Sequence, residues 1–98
     1  MFDYKEVLDV VYKTIEELNE SLPDEKKLVK EENTALFGKS SKLDSLELVN
    51  LIVLLEQNVE DEFGKSVTLA DEKALSREES PFKSVKMLAE YISQLLNE

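Results

Sequence analysis

The chain has 98 residues, with 12 basic and 22 acidic side chains, a formal charge of −10, and neither cysteine nor histidine. This length supports one domain over 1–98 with a small core, and the acidic balance argues against a nucleic-acid partner, because phosphates need a basic patch. The missing residue types remove disulfides, thiolate metal sites, a cysteine nucleophile and a histidine base, so the chain reads as no enzyme and as holding no metal site of its own.

Met1-Phe2-Asp3 opens with neither a basic segment nor a long apolar run, and no stretch approaches membrane-spanning length. The expectation is a soluble, cytoplasmic monomer with no membrane insertion. Tyr4, Val7, Leu8, Val11, Ile15, Leu18 and Leu22 recur at three- and four-residue steps and predict a helix over 3–21. Asp3 and Glu6 form a capping-box pattern at its start. Pro23 closes it, because the residue before a proline disfavours helix. Residues 23–43 form a long polar connection whose apolar anchors are Leu28, Val29, Leu36 and Phe37. A loop of that length in a small domain is usually functional or partly helical.

A second helix is predicted over 45–62. Asp44 and Glu47 repeat the capping-box pattern, and Gly64 after Phe63 suits a left-handed C-terminal residue. Residues 65–79 are a connector with one short helix near Asp71–Leu75. Ser80-Pro81 has the pattern of a helix start, serine as cap and proline in the first turn. The last helix runs to about Leu96 with Val85, Leu88, Ala89, Ile92 and Leu95 inward. The two glycines and two prolines leave little for sheet turns, so the expected class is all-α.

The second helix has two apolar faces at the helical period. Leu48, Leu51, Ile52, Leu55 and Val59 fall on one side. Leu46, Val49 and Val53 fall nearly opposite, in line with Asn50, Gln57 and Glu60 and flanked by Glu47, Glu56 and Asp61. One reading is a central helix buried on most sides. The other is a docking stripe, in which apolar area and one sign of charge combine into a transient interface.

Ser45 stands at the head of this helix in the run Leu43-Asp44-Ser45-Leu46. A serine there is either a plain cap or a hydroxyl to which another enzyme attaches a group. The run, followed by Leu48-Val49, Leu51, Leu55-Glu56, Phe63-Gly64, Ser84-Val85 and Leu88-Ala89-Glu90-Tyr91-Ile92, resembles the acyl carrier protein family of phosphopantetheine-binding carriers over about residues 3–95. The resemblance implies an up-down bundle of three long helices plus one short one. It implies a 4′-phosphopantetheine arm on Ser45, transferred from coenzyme A by a phosphopantetheinyl transferase with magnesium. Asp44 would be the adjacent acid that assists. The arm's thiol would carry acyl groups as thioesters between acyl-transferring or synthase enzymes with basic docking patches, in fatty-acid, polyketide or related biosynthesis. The partner-facing residues would be Leu46, Glu47, Val49, Asn50, Val53, Glu56 and Glu60. Leu51, Leu55, Leu75 and Leu88 would line the acyl pocket. A helix N-terminus also favours the phosphodiester, through free backbone N–H groups and the helix dipole.

Asn50 stands where many fatty-acid carriers have an acid, the second helix is about a turn longer, Lys39 and Lys42 precede Ser45, and Ser80-Pro81-Phe82 leads into the last helix. These departures point to a specialised bacterial carrier. The alternatives are a stand-alone aminoacyl or peptidyl carrier and a small acidic helical adaptor with Ser45 unmodified. Gly38-Lys39-Ser40 and Gly64-Lys65-Ser66 lack the earlier glycine of a phosphate-binding loop, and Asp61-Glu62 and Asp71-Glu72 lack the alternating ligands of a calcium loop.

Overall fold

In the computed structural model residues 3–36, 43–69 and 83–97 are described, with the backbone alone at Ser45. Among them are three α-helices, one 3-10 turn and no strand: α1 (Tyr4–Asn19), the turn Asp24–Lys26, α2 (Ser45–Phe63) and α3 (Val85–Leu96). The expected short helix near Asp71–Leu75 lies outside the described residues, as do Phe37, the 38–42 run and Ser80-Pro81-Phe82.

Helix α1 buries Val7, Val11, Ile15 and Leu18 as its spacing predicts, and Val10 and Thr14 besides. The wider arc follows from its place: α1 packs against both α2 and α3. Thr14 is the one polar residue in the described core, and its hydroxyl donates to the Val10 carbonyl at 2.8 Å and accepts from Asn58 Nδ2 at 2.8 Å. Asp3 precedes the helix with an extended backbone, but its side chain makes no cap bond, so the Asp3–Glu6 box is not formed. The helix also ends at Asn19, two residues before the expected end at 21. The Ser21 N–H and hydroxyl both turn onto the Leu18 carbonyl, at 3.0 and 2.9 Å, a local alternative to helix that serine readily offers.

The expected anchors of the following connection divide. Leu28 and Leu36 are buried, whereas Val29 is exposed. Asn19 grips the strap at Leu28 by both backbone groups, donating to its carbonyl at 2.9 Å and accepting its N–H at 2.8 Å. Residues 32–36 then tie to the start of α3. Val85 and Lys86 N–H groups donate to the Thr34 and Glu32 carbonyls at 3.0 and 2.8 Å, and Leu36 N–H donates to the Lys83 carbonyl at 3.2 Å.

These bonds fix the start of α3 at Val85. The first turn of any helix leaves N–H groups without intrahelical partners. Here the loop carbonyls take two of them, and the hydroxyl of Ser84, the actual cap, accepts the Met87 N–H at 3.2 Å. At its other end Leu96 is buried and Leu95 only partly so.

Along α1 and α2 the pairings run in opposite directions: Glu17 meets Asn58, Lys13 meets Glu62, and Glu6 and Asp9 share a hollow with Phe63. Tyr12 lies by Ser84 and Lys86 at the start of α3, while Lys65, just past the end of α2 that shares a hollow with Glu6, donates from Nζ to the Leu96 carbonyl at 2.8 Å. Helix α3 is therefore antiparallel to α1 and parallel to α2.

Leu48, Leu51, Ile52, Leu55 and Val59 of α2 all enter the core, and Val53 stays 45% exposed. Leu55→Ala is expected to lower unfolding free energy by about 2–5 kcal/mol, as a cavity at a closed site does, while Val53→Ala costs less than about 0.5 kcal/mol. Urea unfolding of both variants checks this. Equal losses would contradict the assignment of faces.

Candidate functional site

The head of α2 is fixed by a closed capping box. Asp44 has an extended backbone, its Oδ1 accepts the Glu47 N–H at 2.8 Å, and Glu47 Oε1 accepts the Asp44 N–H at 3.1 Å. Ser45 is thereby the first helical residue, immediately after the cap. The sequence motif and the backbone agree here, because the box is a local device whose partners lie three residues apart. At the far end Gly64 takes φ 66° and ψ 19°, and its N–H donates to the Glu60 carbonyl at 2.9 Å. That left-handed geometry disfavours any side chain.

Lys26, brought across from the 3-10 turn, completes the site. Its Nζ lies 2.8 Å from Glu47 Oε1 and 3.9 Å from Asp44 Oδ2. The hydrogen bond from Lys26 holds the Glu47 carboxyl below its ordinary pKa, with help from the Asp44 N–H. Glu47 in turn raises the Lys26 ammonium above its ordinary value. No local spacing announces this pair, which is separated by 21 positions.

Downstream of the box the outer face of α2 is bare. Leu46 is 70% exposed and Val49 41%, and with Val53 they form an apolar stripe beside exposed Asn50, Gln57 and Glu60. Among the described residues this face is the exposed one, as a docking stripe would be. Two of the acids expected to flank the stripe have internal work. Glu47 belongs to the box and to Lys26. Glu56 accepts the Leu69 N–H at 2.6 Å and so ties down the segment after α2, where Val67 and Leu69 are buried. Glu60 remains exposed on this face.

Leu51, Leu55 and Leu88 are wholly buried members of one apolar cluster, and Leu75 lies outside the described residues. Two described surface hollows are lined elsewhere, one by Glu6, Asp9, Val10, Lys13, Glu62 and Phe63, the other around Tyr12, Lys30 and Lys86. Among the described residues no group of three or more acids could hold a metal ion, and no helix is long and apolar enough to cross a membrane.

The Glu47 interactions set a pH dependence. A carboxylate whose folded pKa is lowered adds stability above its unfolded pKa, and that contribution disappears as pH falls through the folded value. Glu47→Gln retains a side chain able to close the box but loses the charge. Wild type is expected to be the more stable of the two near neutral pH, with the difference closing below the carboxylate range. Thermal unfolding of the two chains across pH measures it, and a gap that persists in strong acid would contradict the account.

No family model matches the chain, and no curated protein or solved structure matches it.

Proposed function

We propose that the chain is an acyl carrier protein, in which Ser45 bears a 4′-phosphopantetheine arm and α2 is the surface presented to partner enzymes. The observation that carries the reading is the union, on one helix, of Ser45 directly after a closed Asp44–Glu47 box and an exposed Leu46-Val49-Val53 stripe. Apolar residues left in water along a helix that otherwise packs well are the usual mark of a protein interface. Serine is a weak nucleophile that needs outside activation, which a transferase would supply. The hydroxyl would attack the pyrophosphate of coenzyme A, forming a phosphodiester and releasing the nucleotide half. The new anion would sit at a helix N-terminus, where the dipole favours it. The arm would bring the thiol that a chain without cysteine lacks.

On this reading the missing structural detail is the family's four-helix arrangement, with its short helix falling after Leu69. The described residues, whose regular elements are all helical, support it. The acyl chain would enter among Leu51, Leu55 and Leu88. The acidic surface suits enzymes with basic docking faces, and the same stripe would serve an adaptor if Ser45 were never modified.

Incubation with a broad-specificity phosphopantetheinyl transferase, magnesium and coenzyme A is expected to add one arm to wild type and none to Ser45→Ala, read by intact mass. Wild type that takes no arm would favour the adaptor, and an arm on Ser45→Ala would move the site. Glu60→Lys and Leu46→Ala should slow modification, more so at low salt for Glu60→Lys. They probe the surface more cleanly than Glu47 or Glu56, which hold the fold. Unchanged rates in both would place docking elsewhere.

A further inference from the structure

We propose that Lys26 is a specificity-determining residue of this surface: it acts as a built-in counter-ion that withholds Glu47 from partner enzymes. The proposal rests on the carrier reading of Ser45. Glu47 lies one helical turn or less from Ser45, Leu46 and Asn50, among the residues a docking partner would meet, and by sequence it is an obvious acid to be read. The structure spends it internally. Its side chain is only 18% exposed, against 61% for Asp44, and Lys26 Nζ sits 2.8 Å from its Oε1.

The strap that delivers Lys26 is fastened on both sides of it. Leu22 and Leu28 are buried, and Asn19 holds both backbone groups of Leu28. Holding the lysine in place therefore costs less conformational entropy than it would on a loose loop. Lys27 cannot stand in for it, because its Nζ pairs with Asp24 at 2.9 Å. An incoming cation must displace a lysine already paired and anchored. The docking charge offered near Ser45 is accordingly smaller than the sequence advertises, and partners that require an acid at Glu47 are discriminated against. Specificity of this kind arises as much from withheld contacts as from offered ones.

The mask predicts a gain on its removal, which structural damage would not produce. Transferase kinetics at low salt are compared for wild type, Lys26→Met, Glu47→Gln, the double variant and Lys26→Arg, with helicity checked by circular dichroism. Lys26→Met is expected to lower KM about two- to fivefold with kcat unchanged, the scale of one exposed charge pair. Glu47→Gln alone should raise KM, because it leaves the Lys26 ammonium without its close carboxylate, beside Ser45 and facing a basic partner. The double variant should return to wild type, Lys26→Arg should stay there, and the Lys26→Met gain should fade at high salt. A KM that rises or stays fixed in folded Lys26→Met, or a double variant that keeps the Lys26→Met gain, overturns the mask alone. Wild type that takes no arm overturns the carrier reading and this proposal with it.

Discussion

The two faces of α2 set the terms for the rest of the molecule. One face inserts Leu48, Leu51, Ile52, Leu55 and Val59 into the core, and the other leaves Leu46, Val49 and Val53 in water. Fully burying each such side chain is worth about 1.5–3 kcal/mol. Three left partly outside forgo a share of that, on a domain held together by only roughly 5–15 kcal/mol. A chain shaped by stability alone would cover them. Among the described helices the middle position goes to α1, which packs against both α2 and α3 and has the broad apolar arc to match.

Helix α2 needs to be held by its ends and flanks. The Asp44–Glu47 box fixes its start, Lys26 crosses from the strap to lock that box, and Gly64 stops the helix. Glu56 reaches out to hold the backbone at Leu69, and the Thr14–Asn58 bond sets the register against α1. Acids that look interchangeable on a chain of charge −10 thus have distinct roles. Some close the fold, and others, Glu60 among them, stay exposed on the outer face of α2.

What was legible in the sequence is what depends on near neighbours. The inner and outer faces of α2 follow from a period of 3.6 residues. The box and the Gly64 stop follow from spacings of three and one. The start of α3 at Val85 depends on the loop at 32–36, whose carbonyls take the Val85 and Lys86 N–H groups. The box at Asp3 has the right letters and does not close. Lys26–Glu47 and Glu56–Leu69 join residues far apart in the chain, and no local pattern encodes them. They matter most for the site, because they reduce the apparent set of docking acids.

The central claim is that the outer face of α2, beginning at Ser45, is where partner enzymes meet this protein. The direct measurement is an amide chemical-shift map of isotope-labelled chain titrated with a phosphopantetheinyl transferase at low salt. The account predicts perturbations concentrated at Leu46, Val49, Asn50, Val53 and Glu60, weakening as salt is added. Perturbations that fall on the outer surface of α1 or α3, with the stripe on α2 unmoved, would contradict it.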